Sequence, residues 1–237
     1  STAENTTFEN GAVSSAQRII VRAEKKTKTY GDELTSADLT FTISDSEKAK
    51  LLPGDTVESL GLTLKATTIE PEDVLTGSIT DGDDILGAYG NAGRYVILKD
   101  NATNTNYDVV VLPAFLNVSP KEAEIEWNAA AQYTYTGNAC GIEANVKADS
   151  LLEKDSCAIK KLLNADHTEV GNYKALAIGL TNENYIFSGT NRVHVWEYEI
   201  LQADPEVTFP AAEVIYGDSL KKATLSGQSG EGVFRFA

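Results

Sequence analysis

Methionine is absent from the chain, position 1 included, so the sequence reads as a processed piece of a longer protein. No apolar run approaches the ~18 residues that a membrane-spanning helix requires. The start has neither the basic stretch nor the apolar core of a signal peptide. Membrane insertion is therefore not expected of this segment, and an export signal and anchor are expected outside it. Cysteine is nearly missing. Cys140 and Cys157 are too few for a disulfide framework. The 16 residues between them allow a bridge, and two buried free thiols acting as small apolar groups are the other reading; the sequence leaves both open.

The chemistry-bearing residues are also scarce. There are two histidines: His167, in a polar loop beside Asp166 and Glu169, and His194, between Val193 and Val195 in a strand-like run. No Gly-x-Ser-x-Gly elbow, Cys-x-x-Cys pair or His-Glu-x-x-His occurs, so no catalytic, zinc-binding or cofactor-binding residue is assigned. Lys and Arg total 20 against 35 acidic residues, a net charge of −15. That balance argues against nucleic acid and anionic membrane as partners, since both select a basic surface. Calcium is a better metal candidate than zinc, with hard oxygen donors at Asp81, Asp83 and Asp84 around Gly82 and at Asp100, Asn104 and Asp108. Neither group matches the twelve-residue calcium loop with its closing Glu, and solvated acidic loops are the reading adopted, with no metal ligand assigned. With so many acidic residues, carboxylate pairs suited to glycoside hydrolysis single out nothing.

What the chain does have is repetition. Gly93-Arg94-Tyr95 with Asn106-Tyr107 returns as Gly171-Asn172-Tyr173 with Asn184-Tyr185, and in both copies the tyrosines stand 12 residues apart. Tyr30-Gly31-Asp32 with Leu34 returns as Tyr216-Gly217-Asp218 with Leu220. Each of the paired tyrosines is expected at the start of a strand, ring in the core and hydroxyl on backbone at the sheet edge.

The apolar fraction of 42% is enough for real cores. Short β-branched or alternating runs predict strands at 18–23, 39–43, 93–98, 107–112, 115–118, 123–127 and 193–200. Further strands are expected between Thr56 and Ile79, with Leu60, Leu62 and Leu64 on one face and a break at Pro71-Glu72-Asp73. Residues 100–106 read as a wide hairpin loop joining the strands at 93–98 and 107–112. Ser44 with Glu47 forms a capping box for a helix of one or two turns, stopped by Pro53-Gly54. Ser150–Asn164 fits helix or strand, and strand is preferred because its neighbours are strands. Trp127 and Trp196 alternate with apolar neighbours and read as core, although an exposed Trp could also stack on a sugar.

Turn signals every 8 to 12 residues with no long helical period predict an all-β chain of tandem immunoglobulin-like antiparallel β-sandwiches, with at most short helical turns. The expected divisions are a polar leader or linker at 1–17, one Ig-like domain at 18–118, a second at 119–202, and the start of a third, truncated repeat at 203–237.

Residues 18–118 resemble a bacterial Ig-like repeat of the MBG class. The resemblance is carried by Lys28-Thr29-Tyr30-Gly31-Asp32, Asp73-Val74-Leu75-Thr76-Gly77-Ser78-Ile79, Gly93-Arg94-Tyr95 and Asn106-Tyr107, with the 44–71 insertion as a departure. Residues 119–201 are similar to a related Ig-like repeat of Gram-positive surface proteins, through Tyr135-Thr136-Gly137, Gly171-Asn172-Tyr173, Leu180-Thr181-Asn182-Glu183-Asn184-Tyr185 and the Trp196 strand. Val207-Thr208-Phe209-Pro210 and Ile215-Tyr216-Gly217-Asp218-Ser219-Leu220 match the start of a third.

The resemblance implies a non-enzymatic, extracellular bacterial surface fragment, an adhesin-like stalk or spacer. Its implied partners are neighbouring repeats and an unidentified host protein or glycan. A carbohydrate-binding accessory module of a larger secreted enzyme is the alternative. A Lys–Asn or Lys–Asp isopeptide crosslink occurs in surface sandwiches of this type, but no such trio stands out.

Overall fold

The computed structural model describes residues 16–68, 85–189, 192–213, 216, 217, 219 and 224–227. The expected leader up to residue 15, the Pro71–Asp73 break, the strand reaching Ile79 and the Asp81–Asp84 loop lie outside the described residues.

The chain is all-β. In order, it forms β1 (Gln17–Ala23), β2 (Lys26–Thr29), β3 (Phe41–Thr42), the single-turn helix α1 (Asp45–Lys48), β4 (Leu62–Thr67), β5 (Gly93–Ala102), β6 (Tyr107–Leu112), β7 (Ala114–Ser119) and β8 (Lys121–Ala123). It continues as β9 (Ile125–Asn128), β10 (Gln132–Thr134), β11 (Glu143–Val146), β12 (Ile159–Leu163), β13 (Gly171–Leu180), β14 (Tyr185–Phe187), β15 (Val193–Leu201), β16 (Ala211–Glu213) and β17 (Thr224–Ser226). Two compact units result. The first takes residues up to 125 together with 146–158 and 179–192, and the second takes 126–145, 159–178 and 193 onward.

The first unit contains the sheets β3-β1-β6 and β2-β7-β5-β4 and the pair β14-β8. In β1 every second side chain, Ile19, Val21 and Ala23, is buried while its neighbours are exposed, the period-two pattern of a strand with one wet face. Ile19 and Val21 meet Leu60, Tyr107 and Val109 in one core cluster, and each large aliphatic side chain so buried contributes about 1.5–3 kcal/mol. Ser44 caps α1, its hydroxyl accepting from the Glu47 N–H at 3.3 Å.

The second unit contains β10-β15-β13-β12, the β11-β9 pair and the β16-β17 pair. Ile142, Ala175, Tyr198 and Ile200 make its core, with Trp127, Tyr133, Tyr173 and Trp196 packed on it half-buried. In the last segment Phe209 and Tyr216 are exposed.

The pairing scheme of the first repeat recurs in the second. The β1–β6 and β2–β7 pairs are parallel and β5–β7 is antiparallel. Likewise β8–β14 and β10–β15 are parallel and β13–β15 is antiparallel. The sheets are thus mixed where alternation alone suggests antiparallel neighbours.

Other departures are local. The segments β5 and β6 are not a hairpin: β5 runs on to Ala102, and β6 crosses to the other sheet to pair with β1, which sets Val109 against Ile19. Leu60 is fully buried but sits in a 3-10 turn ahead of β4, because Gly61 turns the chain through a left-handed conformation at φ +56°. The run 39–43 is a strand only at Phe41–Thr42, and Ser150–Asn164 only from Ile159 to Leu163.

Candidate functional site

The repeated tyrosines explain themselves first. In the Gly-x-Tyr motif the ring folds back over the glycine: a Cβ on Gly171 would stand 3.1 Å from Tyr173 Oη, and one on Gly93 3.8 Å from that of Tyr95. The hydroxyl then donates to the carbonyl four residues upstream, Tyr95 to Asn91 at 2.7 Å and Tyr173 to Glu169 at 3.0 Å. Tyrosine supplies both the apolar ring and the donor that closes the loop before the strand.

The Asn-Tyr motif builds a second device, again twice. The Leu52 N–H donates to Tyr107 Oη at 2.9 Å, and Tyr107 donates to Asp55 Oδ2 at 2.5 Å. The Leu152 N–H donates to Tyr185 Oη at 2.8 Å, and Tyr185 donates to Asp155 Oδ2 at 2.6 Å. Each aspartate ends a turn in which its own N–H reaches the leucine carbonyl at 2.9 Å. The tyrosine is oriented from behind by an asparagine pair: the Asn106 N–H donates to Asn104 Oδ1 and the Asn184 N–H to Asn182 Oδ1, both at 3.0 Å. Asn104 Nδ2 reaches the Ser59 carbonyl at 3.0 Å and Asn182 Nδ2 that of Ser156 at 3.2 Å. The matching sequence signal is Leu51-Leu52-Pro53-Gly54-Asp55 against Leu151-Leu152-Glu153-Lys154-Asp155, 100 positions on. Sequence reading missed it because the two stretches suggest different secondary structure, a helix stop and an ambiguous run.

The second copy carries an additional partner. Within the first compact unit, Tyr30 donates to Asp155 Oδ2 at 2.9 Å, so one carboxylate oxygen accepts from two phenols. The rings of Tyr30 and Tyr185 meet edge to face, centroids 5.6 Å apart. Gly31, at φ +97°, lies so close to Leu152 that an added Cβ would stand 3.0 Å from its Cδ2. Asn184 Nδ2 donates to Asn91 Oδ1 at 2.9 Å while its Oδ1 accepts from the Ala92 N–H at 2.8 Å. Lys28, two residues before Tyr30, is buried and holds this turn from within, its Nζ donating to the Asp32 carbonyl at 2.8 Å and that of Gly87 at 2.7 Å. The result is a plug, the Tyr30-Gly31 turn, seated in a socket formed by Leu152, Asp155, Asn184 and Tyr185.

Burial, then the hydrogen bond to Asp155, pushes the Tyr30 phenol up to about 12. The same two causes, in the same order, raise Tyr185. Unfolded tyrosines titrate near about 10, so the folded chain keeps these protons where the unfolded chain has lost them. Their contribution is complete below the unfolded pKa and is lost as pH rises through the folded values. The unfolding free energy should therefore hold steady up to about pH 10 and decline beyond it. Urea titrations across that range should show a shallower decline for the Tyr30→Phe, Tyr185→Phe double variant. A slope equal to wild type would remove the pair as its source. The remaining slope falls to Tyr95, Tyr107 and Tyr198, which burial also raises.

The other candidates are placed as follows. His167 stacks on Tyr173 with ring centroids 4.0 Å apart, and His194 Nδ1 accepts from Trp127 Nε1 at 3.0 Å. Trp127 and Trp196 stack on each other at 6.0 Å, half-buried, and the second indole N–H is spent on the Ala130 carbonyl. Asp100 accepts from Thr63, Asp108 pairs with Arg18, and Asn104 serves Tyr107's loop, so the three oxygen donors weighed for calcium are engaged separately. Among the described residues, no three of His, Cys, Asp and Glu gather at metal-binding spacing. Cys140 and Cys157 are free thiols. Among the described residues Lys28 is the lysine with the burial an isopeptide bond would call for, and it faces backbone carbonyls.

No family model matches the chain, and no curated protein sequence matches it significantly.

Proposed function

We propose that the chain is part of a bacterial cell-surface protein in which Ig-like repeats of the MBG class act as a non-enzymatic, adhesin-like stalk or spacer. The observation that supports this reading is the plug in its socket. The Tyr30 turn and the Asn91 edge of the first sequence repeat hold residues 152–155 and 184–185 of the second by hydrogen bonds to the half-buried Asp155 and Asn184 and by ring contact. Such contacts stiffen a joint in a way that a bare linker does not, and stiffness between consecutive repeats is what a spacer needs. The distal task, contact with a host protein or glycan, belongs to the loops in which the two copies differ.

Backbone amide relaxation of the intact chain tests the spacer reading. Residues 18–118 should tumble with the same correlation time as 146–158 and 179–192. Independent tumbling of these segments would overturn it.

The alternative, a carbohydrate-binding accessory module, draws on the half-buried Trp127–Trp196 stack, whose indole N–H groups are both committed within the chain. A glycan array probed with the intact chain separates the two. Binding abolished by Trp196→Ala would favour the module.

A further inference from the structure

The plug and the socket each occur a second time, and those second copies face solvent. In the first repeat the socket is complete, with Tyr107 donating to Asp55 and accepting from the Leu52 N–H. Yet Leu52 is 47% exposed and Asn106 is exposed, whereas Leu152 and Asn184, their counterparts, are covered by Gly31 and by the Asn91–Ala92 edge. Asp55 Oδ2 accepts from Tyr107 where Asp155 Oδ2 accepts from Tyr185 and Tyr30. The spare plug is Tyr216-Gly217. Gly217 has φ +93° against +97° for Gly31, so the two glycines share a left-handed conformation. Tyr216 is fully exposed, and a Cβ on Gly217 would meet nothing within 4 Å.

We propose that the surface formed by Leu52, Asp55 and Asn106, over the buried Tyr107, is an acceptor for a Tyr-Gly turn, and that its occupant is Tyr216-Gly217 of a second copy of this chain. The recognition chemistry is the one present once already. The incoming phenol donates to the Asp55 carboxylate, and the glycine, having no side chain, lies against Leu52. Glycine is also the residue that adopts the left-handed φ of this turn without strain, and a side chain there would press on the leucine methyls. The association is head to tail, since plug and socket are different surfaces, and such contacts build open assemblies. The contact is small and weak between free molecules, and it strengthens when tethering raises its effective concentration. This extends the spacer reading from a joint within one chain to a joint between chains.

Thiol trapping tests it. In the occupied copy the position of a Gly31 Cβ lies 3.6 Å from Leu152 Cγ, where a cysteine sulfur would stand. In a Cys140→Ser, Cys157→Ser background, a Gly217→Cys chain mixed with a Leu52→Cys chain should give disulfide dimer several-fold above the same chain mixed with Val170→Cys, an exposed position elsewhere. Adding Tyr216→Ala to the Gly217→Cys chain should return the yield to that control. Yield at the control level, or yield indifferent to Tyr216→Ala, overturns the inference.

As a check free of cysteine changes, the amide signals of Leu52, Asn106 and Tyr107 in the unmodified chain should shift with protein concentration. Signals that stay fixed up to millimolar chain overturn it as well. Relaxation of the single chain reads the intramolecular joint independently, so a rigid joint without trapping would sink this inference and leave the spacer reading standing.

Discussion

Asp155→Ala should lower the unfolding free energy of the first compact unit by about 3 kcal/mol, from two phenol hydrogen bonds to a charged acceptor at about 1.5–3 kcal/mol each, less what water recovers in the vacated space. Both hydroxyls belong to buried tyrosines, Tyr30 and Tyr185, so the loss includes their unsatisfied donors as well as the bonds themselves. Asp55→Ala is the built-in comparison. It removes one phenol partner and should cost roughly half as much. Urea midpoints at unchanged slope provide the measurement. Equal losses for the two variants would mean that the Tyr30 bond contributes nothing. Asp155→Asn, which keeps the shape and one acceptor oxygen, should fall between wild type and Asp155→Ala.

Lys28→Met carries the second large effect. The ammonium is buried and bridges the Asp32 and Gly87 carbonyls, tying the Tyr30-Gly31 turn to the segment after residue 85. Methionine preserves most of the side-chain volume while deleting both donors and leaving two carbonyls under-satisfied, a loss of about 2–3 kcal/mol. The burial that makes the amine costly also lowers its pKa, desolvation outweighing the nearby Asp32 and Glu33 carboxylates. The variant should therefore show a lower urea midpoint, and Tyr30 should become accessible to a phenol-modifying reagent well before global unfolding. A midpoint within experimental scatter of wild type would show that water replaces the ammonium at no cost, and that the turn holds itself.

Much of this was legible in the residues. Strand positions followed from the β-branched run at Arg18–Ala23 and from alternation in Val193–Ile200, and the duplicated tyrosines marked strand starts; Tyr95 and Tyr173 donate to backbone carbonyls as expected, whereas Tyr107 and Tyr185 donate to the Asp55 and Asp155 carboxylates. Side-chain periodicity reports which face of a strand is buried but not which neighbour it pairs with. That is why β5 and β6 looked like a hairpin and instead lie in different sheets. The site was half legible. Tyr30, Asn184 and Tyr185 stood out by repetition, whereas Leu152 and Asp155 did not. An aspartate among 35 acidic residues carries no mark, and its significance arises only when the fold brings it under two tyrosines. Pairing the Leu-Leu-x-x-Asp stretches, 100 positions apart, would have exposed it.

The seating of the Tyr30-Gly31 turn has one more consequence. The turn comes from the upstream repeat and its seat from the downstream one, and the two surfaces are different, although each offers a tyrosine and an asparagine. In the proposed stalk, a joint of this kind has a grammar: each repeat would be followed, never preceded, by the repeat whose seat its turn fits. Reordering the repeats by recombination is then neutral only when the turn and the seat travel in register. Selection on the array would act on the match between neighbours before it acts on any one repeat.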